Sequence, residues 1–364
     1  MKLEKLEIEG FRSLHSVRWE PGPVNVWIGP NAGGKSNFLD ALELLRAAAT
    51  GEFRDAVFAR GGMIPLLWNG EAQRIRFSLA TDENLAYSLS IEPLGGTSDF
   101  RVVDESVHTR CRELLNRERV AGAKVTSPGE TILATRFGPD DPEEPRRLQQ
   151  WLRRWEVHYD LRTDRKADVR RSVVARHETH LSRDGGNLVQ VLHTLYTTNE
   201  EFERRLDDAM AAAFPDEYVK LKFAPLEEGR IELRLRWKHV ARPPAAADLS
   251  DGTLRFLMLA AILANPEPAP LIAIDEPETG LHPRMLAIVA ELAEEAASKS
   301  QVILATHSPE LLDAFHEEPP AVTVFRWEKD RTVLSTLAGK DLKRWVEDYS
   351  LGKFAFSGEA EALS

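Results

Sequence analysis

A single cysteine, Cys111, stands in the 364 residues of this chain, which excludes an internal disulfide and a zinc site built from paired cysteines. Aromatic residues make up only 8% of it, and no run approaches the roughly 20 apolar residues needed to span a bilayer, so no membrane partner is expected. The opening Met1-Lys2-Leu3-Glu4-Lys5-Leu6-Glu7-Ile8 alternates charged and apolar residues like a strand and lacks the apolar core of a signal peptide, so a reducing cytoplasm is the expected setting. Positive charge is in deficit: 47 Lys and Arg against 58 Asp and Glu leave a net −11, which argues against indiscriminate coating of nucleic acid but permits a local basic site. Sustained heptads and internal repeats are missing, which argues against a long coiled coil. Glutamine is scarce as well, with only residues 73, 149, 150, 190 and 301.

What is present concentrates in a few segments. Gly29 to Ser36 read GPNAGGKS, preceded by the apolar run Val24-Asn25-Val26-Trp27-Ile28 and followed by Asn37 to Leu45, whose apolar residues recur at helical spacing. The expectation is strand, phosphate-binding loop, helix. Gly29, Gly33 and Gly34 let the backbone turn so that several N–H groups face phosphate oxygens, and the positive end of the helix adds to the attraction. Lys35 is expected to reach the β and γ phosphates and the Ser36 hydroxyl to bind Mg²⁺. Asn31, Gly33, Gly34, Lys35, Ser36 and Asn37 are the candidate nucleotide-binding residues of this stretch.

A second cluster lies far downstream. Leu271-Ile272-Ala273-Ile274 is a short apolar run of the kind expected for a buried parallel strand, ending in Asp275-Glu276-Pro277. Carboxylates at a strand's C-terminal edge sit where α/β sheets bind ligands. Asp275 is expected to help hold Mg²⁺, and Glu276 to polarise the water that attacks the γ phosphate. Gln301 to Ala305 reads as another buried strand leading to Thr306-His307-Ser308, which makes His307 a candidate γ-phosphate sensor. Between them, Leu249-Ser250-Asp251-Gly252-Thr253 precedes an apolar helix from Leu254 to Ala264; taken alone, it is an ordinary cap and turn.

The rest of the chain suggests an organisation. Strands are expected at Lys2 to Glu9, Val17 to Trp19, Arg74 to Leu79 and Leu85 to Ile91. The proline-rich run GPDDPEEP from Gly138 to Pro145 marks a boundary. Arg146 to Arg183 carries eleven Arg or Lys against five Asp or Glu, either a solvated helix face or a patch for nucleic acid or an acidic partner. Trp151 and Trp155, four apart, read as packing residues. Helices are expected from Leu188 and over Glu200 to Phe214. The resulting division is 1–137, 138–215 as an inserted basic, mostly helical arm, and 216–364.

Taken together, GPNAGGKS, LSDGT, LIAIDEP with ETGLHP after it, and ATHS resemble the ATP-binding-cassette ATPases, in particular the soluble branch of SMC-like, RecF-like and OLD-like proteins. Ile8 to Leu14, Asp184 to Leu188 and the tail from Leu351 to Glu359 look similar to the same branch. The resemblance implies an α/β fold: an ABC-type ATPase head with a mixed β lobe, a parallel-sheet α/β lobe and an inserted helical arm. It implies ATP and Mg²⁺, a head-to-tail homodimer with two ATP molecules at the interface, and Ser250 and Gly252 contacting the γ phosphate held by the other subunit. Pro277 to His282 would couple the two sites, and Arg12 and Ser13 would help hold the nucleotide. Gly33 stands where relatives commonly carry serine, and of the glutamines only Gln73 is placed to complete the metal site.

The function so implied is a Mg²⁺-dependent ATPase whose closure is coupled to DNA or to a partner effector, in bacterial defence or DNA repair. The alternatives are a slow-turnover nucleotide-gated clamp and, less in keeping with Phe11-Arg12-Ser13-Leu14, a transporter's ATPase subunit. Too little chain follows His307 for a nuclease domain, so a nuclease or toxin effector would be a separate chain.

Overall fold

The computed structural model describes residues 1–70, 72–95, 98–118, 127–315 and 320–337. The tail from Leu351 to Glu359 lies outside the described residues. Among the described residues two compact units are formed: one within Met1–Val157, Ala269–Ala273 and Thr323–Thr336, the other within His158–Pro268 and Ile274–Val322 with Leu337. The stretch 138–215 is therefore divided, with its residues through Val157 in the first unit and the rest in the second.

Elements are labelled along the chain. The first unit contains β1 (Leu3–Phe11), β2 (Leu14–Trp19), β3 (Val24–Ile28), α1 (Lys35–Thr50), α2 (Phe53–Ala59), β4 (Ile75–Thr81), β5 (Leu85–Pro93), β6 (Phe100–Thr109), β7 (Glu113–Asn116) and α3 (Glu143–Arg153), with β8 (Glu156–His158) at its border and β14 (Ala321–Glu328) and β15 (Arg331–Leu337) returning to it. Six strands make an antiparallel sheet in the order β2-β1-β4-β5-β6-β7. Its register places Ile8 opposite Val17 on one side and Phe77 on the other. Alternate residues Ile75, Phe77 and Leu79 of β4 and Leu85, Tyr87, Leu89 and Ile91 of β5 are buried, the period-two pattern of a sheet with one face on a core.

β3, apolar except for Asn25, is buried almost throughout, and α1 follows it after the loop. Phe38, Leu39, Leu42 and Leu45 are buried along α1, each stabilising the unit by roughly 1.5–3 kcal/mol. The helix stops at Gly51, whose left-handed φ of 86° ends it as a glycine C-cap does. Trp27, at the end of β3, packs edge-on against Trp19 and Phe38, with centroids 5.1 and 4.8 Å away, and Phe325 of β14 completes this aromatic cluster. Trp151 and Trp155 are both buried and meet edge-on at 4.9 Å, the packing role their spacing suggested.

One buried carboxylate organises the far side of this sheet. Glu105 on β6 accepts from the Tyr87 hydroxyl at 2.9 Å and from the backbone N–H groups of Ile132 and Leu133 at 2.7 and 2.9 Å, with Arg117 at 3.6 Å. Burial pushes this carboxyl up to about 7, against the pull of those donors.

The second unit contains β9 (Val173–Val174), α4 (Leu188–Thr198), α5 (Glu200–Ala213), β10 (Tyr218–Pro225), β11 (Arg230–Trp237), α6 (Asp251–Leu263), the end of β12 (Leu271–Asp275), α7 (Pro283–Ala296), β13 (Gln301–Thr306) and α8 (Pro309–Asp313). A small sheet in the order β10-β11-β9 packs on α4 and α5. From Thr253 to Leu263 only Arg255 of α6 escapes full burial, so this helix is surrounded by its own unit. Among the described residues no helix is long and apolar enough to cross a membrane.

Candidate functional site

In the first unit, β3 delivers the chain to the expected phosphate loop. Ala32 and Gly34 take left-handed backbone, with φ of 66° and 107°. α1 then begins at Lys35 with no side-chain cap and no acidic residue in its first turn. Its first N–H groups and positive dipole end are thus turned toward the loop, the arrangement that binds an anion. Lys35 is buried, and its Nζ donates to the carbonyls of Gly29 at 2.6 Å and Pro30 at 3.2 Å. Asn31 and Ser36 are exposed at the loop, and Gln73 is exposed in a bend just before β4.

Behind the loop stands a residue that the sequence did not reveal. Thr332, on β15, hydrogen-bonds Ser13 Oγ at 2.7 Å and the Gly33 carbonyl at 3.1 Å, while its backbone N–H donates to Ser13 O at 2.8 Å. It approaches so closely that a Cβ on Gly34 would lie 2.1 Å from its Oγ1. Asn37 Nδ2 donates to the same Ser13 hydroxyl at 2.7 Å, and Arg12 Nη1 donates to Asn37 Oδ1 at 3.2 Å. Arg12 also pairs with Asp40, which Arg60 grips from its other side at 2.7 Å. Arg12, Ser13 and Asn37 are therefore one connected network against the first turn of α1.

In the second unit, β12 ends at Asp275, and the N–H of Glu276 donates to Ala305 O of β13 at 2.7 Å. Glu276 has a φ of 47°, a left-handed conformation that costs a non-glycine residue of order 1 kcal/mol and that concentrates at functional sites. Arg255 of α6 braces this turn, its Nη2 donating to the carbonyls of Glu276 at 2.8 Å and Asp275 at 3.2 Å. Burial lowers the Arg255 guanidinium from its ordinary value, opposed by the charges of Glu276, Glu278, Asp275 and Asp160. His307 follows β13, 44% exposed, with Nδ1 3.5 Å from Glu276 Oε1 and 3.9 Å from Glu278 Oε1. Glu278 is the more enclosed carboxylate, 12% exposed, and its Oε1 accepts from the Thr306 hydroxyl at 2.6 Å and from His307 N at 3.4 Å. Glu276 and His307 thus meet where β12 and β13 end, next to Asp275, with Arg255 and Glu278 as additions.

The LSDGT segment opens α6. Ser250 is its N-cap, with Oγ accepting from Thr253 N at 3.1 Å. Gly252 lies where a Cβ would meet the Gly280 carbonyl at 2.4 Å, so the start of this helix abuts the turn that follows Glu276.

The basic stretch is largely committed within the chain. Arg147 pairs with Glu83, Arg162 with Asp164 and Arg171 with Asp168, while Arg183 lies over the Tyr159 ring. Arg170 is not a surface residue: its side chain is 10% exposed and reaches the LSDGT segment, where it pairs with Asp251. Arg153, Arg165, Lys166 and Arg176 are exposed.

Chemically, an uncapped helix N-terminus behind a lysine suits a phosphate chain, and a carboxylate within reach of a histidine suits deprotonation of water. Residues 24–313 match the model of a family described as "AAA domain, putative AbiEii toxin, Type IV TA system". None of the curated proteins matches the chain. Among solved structures, the fold is similar to an SMC head bound to the C-winged helix domain of ScpA, with a TM-score of 0.61 and 16% identity over 95% of this chain and 100% of that one. It is similar to an Smc head with an extended coiled coil bound to the C-terminal domain of ScpA, derived from Pyrococcus furiosus (TM-score 0.54, 14% identity, 96% and 99% covered). An SMC head domain from Thermotoga maritima is also similar (TM-score 0.50, 17% identity, 93% and 100% covered). At such identities these structures establish the fold alone, the mixed α/β fold of SMC head domains.

Proposed function

The chain belongs to this AAA-domain family, and from that premise we propose that it binds and hydrolyses ATP as a head-to-tail homodimer whose closure is passed to an effector chain or to DNA. The observation that carries the reading is the contact of Gly252 with Gly280. Through it, the groups that would meet the partner copy's nucleotide, Ser250 and Gly252, move with the turn that holds this copy's Glu276. A site shared between two copies needs that mechanical link.

Lys35 and the N–H groups at the start of α1 would hold the β and γ phosphates. Glu276 would accept a proton from the attacking water, and His307, adjacent to it, would contact the γ phosphate. Ser36, Asp275 and Gln73 offer the hard oxygen donors that suit Mg²⁺, and among the described residues no three His, Cys, Asp or Glu side chains gather into a metal site by themselves. When bound, Mg²⁺ would neutralise charge on the phosphates. The family's description as a putative toxin of a Type IV TA system favours a defence setting over service to a membrane permease.

Glu276→Gln should slow hydrolysis and hold the dimer closed, so sedimentation in ATP and Mg²⁺ should show a dimer. A variant that stays monomeric at saturating ATP would overturn the reading.

A further inference from the structure

We propose that Arg170 is a positioning residue for the LSDGT segment, without which two copies cannot close over ATP; this rests on the dimer reading above. Every nitrogen of its guanidinium is used. Nε donates to Thr163 O at 2.8 Å. Nη1 faces three carbonyls, those of Leu249 at 2.7 Å, Ala247 at 3.2 Å and Ala246 at 3.3 Å. Nη2 donates to Asp251 Oδ1 at 2.5 Å.

The carbonyls belong to the short 3-10 turn Ala246–Asp248 and to the residue after it, and that of Ala246 also accepts from Leu249 N at 3.3 Å, so the arginine adds to the turn's own bond. Leu249 and Asp251 flank Ser250, so the arginine grips the chain on both sides of the group proposed to meet the opposing nucleotide. A planar fork fixes direction as well as distance, which a point charge cannot do.

Stability alone does not account for the arrangement. Asp251 is 67% exposed, and an ion pair with so open a partner contributes little to folding. Ser250 is exposed too. Holding an exposed segment in one geometry is of little use to the fold, whereas it removes the ordering cost when two short groups must meet a phosphate across an interface. The nearby α6 is already secured by its own burial and by the Ser250 cap.

The test is made in the Glu276→Gln background, comparing Arg170 with Arg170→Lys and, as a milder change, Asp251→Asn. Lysine can reach one or two of these acceptors but cannot join Thr163, Leu249 and Asp251 at once. ATP-dependent dimerisation should weaken by about tenfold or more in Arg170→Lys and by less in Asp251→Asn, the scale expected for lost charge-assisted hydrogen bonds. The affinity of the monomer for a fluorescent ATP analogue should stay near that of the parent, because Lys35 lies in the other unit, while the melting temperature should fall by no more than several degrees and leave the monomer folded. Arg170→Lys closing as tightly as its parent would overturn the inference alone. So would a variant that loses monomer ATP affinity and melting temperature together with closure, since that marks a folding residue. A Glu276→Gln parent that never dimerises would overturn the dimer reading and this inference with it.

Discussion

Glu278 has contacts in the fold that no stretch of the sequence displays. In the sequence it is the acid of an Glu-Thr-Gly turn, indistinguishable from any solvated loop carboxylate. In the fold it is enclosed, receives the Thr306 hydroxyl and the His307 N–H, and lies 3.9 Å from the imidazole. A carboxylate so placed holds the turn that carries His307. Glu278→Gln should therefore lower kcat by about tenfold with little change in ATP affinity. Steady-state kinetics with a nucleotide-binding assay would check it, and an unaltered kcat would sink it. The places of Glu276 and His307 at strand ends were legible, because each follows a short apolar run read as a buried strand. Arg255 was not, since a lone arginine in an apolar helix carries no sign of what its guanidinium reaches.

At the scale of elements, the phosphate loop was readable as strand, loop and helix because that motif is continuous in the chain. Its support was not: Thr332 is 299 positions from Gly33, in a strand with no distinguishing pattern. Gly34 is required twice over, by its φ of 107° and by the 2.1 Å approach that a Cβ would make to Thr332. Thr332→Val keeps the bulk and removes the hydroxyl that joins Ser13 to Gly33. ATP affinity should fall several-fold and stability by about 1 kcal/mol, the usual worth of one such bond. Titration calorimetry and urea unfolding would check this, and an affinity equal to that of the parent would count against Thr332 as a support of the loop. The strands expected at Lys2 to Glu9, Val17 to Trp19, Arg74 to Leu79 and Leu85 to Ile91 are present because their apolar residues alternate, the second beginning earlier, at Leu14. α3 begins inside the proline-rich run expected as a boundary, with Pro142 at its N-cap, where the lack of an N–H is tolerated.

For the whole molecule, the buried Glu105 predicts a pH dependence. Its carboxyl is raised to about 7 in the fold from an ordinary 4.5, so between those values the folded chain holds more proton than the unfolded chain. Its contribution is present below pH 4.5 and is lost as pH rises through 7, a change of order 1–3 kcal/mol. Urea unfolding at pH 5 and 7.5 should show a steeper loss for the natural chain than for Glu105→Gln; equal losses would remove Glu105 as the cause. What the sequence determined by itself was local: a phosphate loop, two strand ends bearing Asp275-Glu276 and His307, a capped helix at Ser250, and through their combination the class of ATPase. What only the tertiary structure decided was which charges are engaged and by whom. Arg170 looked like one more member of a basic run, yet its carboxylate partner Asp251 is 81 residues away. Periodicity and motif spacing report what a segment does with its neighbours in the chain, whereas the burial of a charge depends on segments that meet only when the core forms.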